Sequence, residues 1–265
     1  MTPGARSLGA AALSVFAWAL LAAPQRPSEV DASAAIEKSR VRALDYAKSL
    51  PNFVCTEVVR RFTDTSHRGQ WVAVDTLTVK LSYFEQREQH KLALIDGKPT
   101  DQPFDSLGGA RGEGEFGGTL HGIFDAASAA RFRWESWKTL RKHRVAVYSY
   151  AVDKPHSRYL METGSRGDLR KAIVAFHGVV EIDRDTGDVL HFTYDTDSIP
   201  RELGLTSART TVDYDFADVG GRDYLLPASS ETIMDTSRVS MRNQMTFREY
   251  SKFSSESIIT FGDGK

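Results

Sequence analysis

From Phe53 onward, apolar residues recur mostly at every second position, and that period predicts strands. The stretch "WVAVDTLTVKLSYFE" puts Leu77, Val79, Leu81 and Tyr83 on one face, with Thr76, Thr78, Lys80 and Ser82 on the other. "NFVCTEVVRRF", "HKLALIDGKP", "RFRWESWKTL" and "HRVAVYSYAVD" read as further strands. "KAIVAFHGVVEIDRDTGDVLHFTYDTD" predicts a hairpin, because two alternating runs flank Asp185-Thr186-Gly187-Asp188 and Gly187 can take positive φ. A second hairpin turns at Gly220-Gly221, and "SMRNQMTFREYSKF" and "SIITFG" close the chain as strands. Helical spacing occurs twice. "DASAAIEKSRVRALDYAKSLP" carries Ala35, Ile36, Val41, Leu44, Tyr46 and Ala47 as apolar positions. Asp31 or Ser33 can cap it and Pro51 stops it. "TLHGIFDAASAARF" predicts a second, short helix.

Strands joined by short turns are antiparallel. The order helix, strands, helix, strands lacks the strand–helix alternation of a parallel doubly wound sheet. Parity along the later strands separates an apolar, aromatic face from a polar one. Leu190, Phe192 and Tyr194 oppose His191, Thr193 and Asp195, while Val212, Tyr214 and Phe216 oppose Thr211, Asp213 and Asp215. A long sheet with one apolar face must curl and cover it. The predicted fold is mainly β: a curved antiparallel meander, a half-barrel of about 11 strands, with an N-terminal helix and a helical flap as its cover.

The N-terminus breaks the pattern. In "MTPGARSLGAAALSVFAWALLAAPQRP" a single charge, Arg6, precedes an uncharged run from Leu8 to Ala23 that closes on small residues. This is the layout of a secretory signal peptide. The expected organisation is a signal peptide over 1–23, a Pro- and Ser-rich linker over 24–34 and one domain over 35–262. The location that follows is periplasmic or secreted, with no integral membrane segment once the signal is cleaved.

Charge then removes several classes of partner. The chain of 265 residues has 34 Lys and Arg against 35 Asp and Glu, so no basic excess points to nucleic acid. One cysteine, Cys55, excludes an intramolecular disulfide. Its place in an apolar strand pattern predicts a small buried side chain rather than a reactive thiol.

Motif chemistry narrows the field further. Gly112, Gly114 and Gly117 spell G-x-G-x-x-G, but a dinucleotide loop needs a strand before it, and "TDQPFDSLGGAR" is turn-rich. Glu113 and Glu115 would also oppose a pyrophosphate. The glycines instead predict an easily hinged connection carrying the helix from Thr119 across the sheet. "DRDTGD" starts like a calcium loop, yet Gly187 stands where a ligand is needed, so a hairpin turn is expected. His67, His90, His121, His143, His156, His177 and His191 show no metal-binding spacing, and no G-x-S-x-G elbow exists. No metal and no cofactor are expected, and a hydrolase is the most distant of the readings weighed. Trp134 and Trp137 differ by an odd number, which on a regular strand puts them on opposite faces.

An N-terminal helix followed by such a meander, interrupted by a helical flap, resembles the LolA/RseB-like half-barrels of bacterial envelopes over residues of about 31 to 262. The hairpin "GVVEIDRDTGDVLHF" and the closing "FREYSKF" carry the resemblance, and "LPNFVCTEVVRRF" is similar to the start of exported bacterial proteins of this general type. The resemblance implies a concave apolar face that holds acyl chains or a partner's lipid. The expected function is therefore non-enzymatic binding of a hydrophobic ligand or lipoprotein between sheet and helices. Phe116, Phe124 and Trp134 are the expected rim of the site, and Phe192, Tyr194 and Tyr214 its wall. Met241, Met245 and Phe247 supply adaptable or aromatic lining. The alternative is an envelope interaction or sensor module with a filled core and no ligand cavity.

Overall fold

Pairing begins between the two ends of the domain. The first strand, β1 (Phe53–Asp64), lies antiparallel between β2 (Val72–Phe84) and the last strand, β13 (Ser240–Lys252). The computed structural model describes residues 27–104, 107, 114–164 and 169–253. The signal-like segment 1–23, Gly112 and Glu113 of the glycine motif and "SIITFG" lie outside the described residues.

From β2 the sheet continues through β3 (Arg87–Ile95) to the short β4 (Lys98–Pro99), which ends one edge. The chain then carries α2 (Gly118–Phe124) to the opposite edge and starts again with β5 (Arg131–Leu140) and β6 (His143–Val152). From there β9 (Ala175–Asp183), β10 (Val189–Asp197), β11 (Ser207–Asp218) and β12 (Asp223–Asp235) lead back to β13. The result is one 11-stranded antiparallel sheet, open between β4 and β5, as the half-barrel expectation required. A separate hairpin of β7 (Leu160–Thr163) and β8 (Arg170–Ile173) leaves the sheet between β6 and β9. It splits the run that the period alone joined from Lys171 to Asp183. Val174 is fully buried at the break, and its N–H donates to the Tyr159 carbonyl at 3.1 Å.

One face of this sheet is covered by α1 (Glu29–Ser49), by α2 and by the β7–β8 hairpin, and the core lies between. A first cluster joins Ala43 and Tyr46 of α1 and Leu120, Ile123 and Phe124 of α2 to Tyr148, Tyr150, Phe176, Phe192 and Tyr214 of the sheet. A second joins Phe53, Val79, Leu81 and Tyr83 to Phe116 and Phe247. A third, around Met161, Val174, Leu203 and Leu205, lies under the β7–β8 hairpin. That hairpin is a third cover which the sequence pattern did not announce.

α1 begins at Glu29, inside the stretch read as linker, because Ser28 caps it by accepting from the Asp31 N–H at 3.1 Å. Its inward stripe is Ala32, Ile36, Ser39, Ala43 and Tyr46, while Val41 points to solvent. The helix docks on the β9–β10 hairpin, where Arg42 Nε meets Asp188 at 2.7 Å and Lys38 Nζ donates to the Asp185 carbonyl. The turn itself is the expected one: the Asp183 carboxylate accepts from the N–H groups of Asp185 and Thr186, both at 2.8 Å, and Gly187 has φ +80°. Cys55 is buried, and burial pushes its thiol well above the usual range, so it is an inert core side chain.

Two departures from strict alternation matter. Glu135 is an extra residue in β5, since Trp134 pairs with Tyr148 but Ser136 with Val147. This bulge brings both Trp134 and Trp137 onto the first core cluster, which corrects the expectation of opposite faces. The second is Gly178, which stands between Tyr150 and Tyr194 in register. A Cβ there would sit 1.9 Å from the Thr193 carbonyl oxygen, the atom that accepts from the Tyr150 hydroxyl at 2.9 Å. Gly178→Ala must push two strands apart at the centre of the sheet. We expect a loss of roughly 3 kcal/mol or more, read as a melting temperature lower by about 6 °C or more in thermal circular dichroism.

Candidate functional site

Most of the residues expected to bind lie on the covered face or on the elements packed over it, brought together by its period-2 strands. Phe124, Phe192 and Tyr214 are fully buried, and Phe116, Tyr194, Met245 and Phe247 nearly so. Trp134 is half-buried against the first cluster. Met241 is half-buried opposite Met234 and Thr63, away from the aromatic groups. The nine residues therefore share one face but not one pocket: Phe192, Tyr194 and Tyr214 belong to the first cluster, Met245 and Phe247 to the second.

Aromatic contacts form two networks here, one in each of the first two clusters. Phe192 and Tyr214 lie 6.0 Å apart between ring centroids, and Tyr46 of α1 meets Tyr214 edge-on at 5.6 Å. Phe116 is set among Phe53 at 5.4 Å, Phe247 at 5.6 Å and Tyr83 at 6.0 Å. Phe124 stacks on Phe132 at 5.2 Å. Tyr46, Tyr83, Tyr150, Phe53 and Phe176 complete the wall and were not among the expected site residues. The alternation in "HRVAVYSYAVD" holds the signal for Tyr150, whereas Phe53 becomes a site residue only through its stacking with Tyr83 at 5.1 Å.

The end of the glycine-rich stretch is packed rather than slack. Glu115, Phe116 and Gly117 are all buried. Gly114 has φ +100° and Gly117 φ +111°, a region only glycine enters freely. A Cβ on Gly117 would also meet Ala47 and Tyr46 of α1 at 3.0 Å. These glycines let the backbone turn left-handed under the helix, so close packing, rather than the expected hinge, accounts for Gly114 and Gly117.

Polar groups are few on this face and closely placed. The Tyr214 hydroxyl donates to the Glu115 carbonyl at 2.5 Å, and Ser230 Oγ donates to Glu115 Oε1 at 3.1 Å. Burial, with the nearby charges of Glu88 and Glu57, pushes the Glu115 carboxyl up to about 7. His90 lies between Glu57 at 3.1 Å and Glu88 at 3.4 Å. Burial alone would lower its pKa, but the hydrogen bonds and charges of the two glutamates outweigh it and raise the imidazole to about 10. His90 is therefore an imidazolium at neutral pH, and the acid–base–acid row is a structural ion cluster. Among the described residues no three His, Cys, Asp or Glu side chains gather as a metal site, and no helix is long and apolar enough to cross a membrane.

No protein-family model matches the sequence, and no curated protein matches it. Solved structures do. A LolA superfamily protein from Nitrosomonas europaea is 11% identical with a TM-score of 0.36, covering 86% of this chain and 96% of that one. A DUF1329 family protein from Desulfovibrio piger is 10% identical with a TM-score of 0.39, covering 84% and 93%. The Mycobacterium tuberculosis lipoprotein LppX is 9% identical with a TM-score of 0.31, covering 84% and 98%.

His90 gives a test of this polar row. Its folded pKa lies above its free value, so its contribution is fully present below about pH 6.5 and is lost as pH rises through about 10. His90→Gln should lower the melting temperature by roughly 5 °C at pH 6, and the gap to the parent protein should close by about pH 10. Melting curves across that range provide the check.

Proposed function

We propose that the protein binds a hydrophobic ligand or a lipidated partner between the concave face of the sheet and the cover formed by α1 and residues 114–124. One observation carries this reading. The aromatic wall is closed not by a second sheet but by a separate short element that inserts Phe116, Leu120, Ile123 and Phe124 into it. α2 has 7 residues, too few to be helical unless docked. Among the described residues its hydrogen bonds to the wall and to α1 include those of Tyr214 and Ser230 to Glu115, and Arg40 Nη1 donating to the Phe124 carbonyl at 2.8 Å. Lifting this element exposes an apolar surface without breaking any pair in the sheet, and costs the burial of Phe116, Leu120, Ile123 and Phe124. In the resting state Phe116, Ile123 and Phe124 occupy the space that an acyl chain would take.

The finer expectation extends the same logic. An exported binding protein would take up its cargo in the envelope and hold it against Phe192, Tyr214, Met245 and Phe247. The filled face also favours the second reading, an interaction module in which the wall is ordinary core and the surface carries function. Native mass spectrometry separates the two. Protein purified from the cell envelope, or incubated with phospholipid vesicles, should carry an apolar adduct that solvent extraction removes. Phe116→Ala should raise the amount retained, because it leaves room in the wall. A bare mass in both preparations and both variants would leave only the interaction module.

A further inference from the structure

The element that closes the wall carries a buried carboxyl at its start. Glu115 lies between the two left-handed glycines and is about 5% exposed. Among the described residues its Oε1 accepts from the hydroxyl of Ser230 of β12. The titratable and charged groups around it come from several elements. Tyr214 of β11 bonds its carbonyl, Tyr46 of α1 packs on that ring, and Tyr194 of β10 feels its charge. Glu57 of β1 and Glu88 of β3 oppose it as like charges, and His90 of β3 is already shared between those two. β13 presents Met245 and Phe247 to this region. Among the described residues no cation stands against a negative charge on Glu115, and the nearest charged groups named are the like charges of Glu57 and Glu88.

We propose that Glu115 is a proton latch for the cover: protonated, it keeps residues 114–124 docked on the aromatic wall, and ionised, it drives them off. The inference rests on the reading of that element as a movable cover and adds how its movement is governed. The sign follows from burial. The docked carboxyl titrates near 7 and a solvated one near 4.5, so docking is favoured fully below about 4.5 and weakens as pH rises through about 7. Between pH 6 and pH 8 this loosens docking about tenfold. His90 stays charged across that interval, so the response belongs to Glu115. Cargo would enter or leave on the neutral-to-alkaline side and be enclosed on the acid side.

Amide hydrogen exchange on the ligand-free protein tests the latch without any ligand. After correction for the chemical rate, amides of residues 114–124 should exchange about tenfold faster at pH 8 than at pH 6, while β1, β2 and β13 hold constant. Glu115→Gln keeps the shape and the neutral state, and should exchange at pH 8 as slowly as at pH 6. Direct titration of the Glu115 carboxyl by carbon-13 NMR should give a midpoint near 7, whether or not the variant folds. A midpoint near 4.5, or a variant with the same pH response as the parent, overturns the latch. Exchange behaving as expected in a protein that never carries an apolar adduct would keep the latch and remove the binding reading instead.

Discussion

Everything on the concave face follows from one constraint of chain path. β4 ends at one edge of the sheet and β5 begins at the other, so the backbone between them has to travel across an apolar, aromatic surface. A peptide chain laid on such a surface brings N–H and C=O groups that need partners. The wall answers with aromatic rings that end in hydroxyls. Tyr214 serves the Glu115 carbonyl of the crossing chain; elsewhere Tyr83 of β2 serves the Ala47 carbonyl of α1 at 2.9 Å, and Tyr46 of α1 the Leu225 carbonyl of β12 at 2.9 Å. Tyrosine suits this place because its ring packs like a core side chain while its tip satisfies a stray carbonyl. Arg40 does the same for the end of α2.

The same constraint explains the polar minority buried in the wall. Crossing close under α1 requires a left-handed turn, hence Gly114 and Gly117, and the turn places Glu115 inward. Glu57, Glu88 and His90 satisfy one another, and Thr210 meets Thr232 at 3.0 Å. Glu115 meets the Ser230 hydroxyl and, among the described residues, no cation. An element that must be able to leave gains from such a group, since the charge that water would welcome opposes its burial. On the latch we propose, cover, glycine turn and buried acid act as one device rather than three features.

Much of the fold was legible in the chain. Alternation marked the strands and placed Phe192, Tyr194, Tyr214, Met245 and Phe247 on the inner face, where they lie. The Asp183–Asp188 turn was legible because an Asp side chain and a glycine suffice to make it. Three things were not. The bulge at Glu135 shifts the count by one residue and turns Trp137 inward. The β7–β8 hairpin hides in a continuous apolar run, because a buried strand break looks like a strand. Glu115 reads as a solvent-facing acid in a glycine-rich loop, and only its neighbours show that it is enclosed.

The sequence by itself determined which residues form strands, which face of each is apolar and where the tight turns fall. Those properties depend on neighbours two to four positions apart, and the chain carries them wherever it goes. Tertiary structure decided that β1 pairs with β13, and so that the segment after β4 must cross the sheet. It also decided which side chains that crossing buries. Such pairings join residues almost two hundred positions apart, as Phe53 with Lys252, and no local period encodes them.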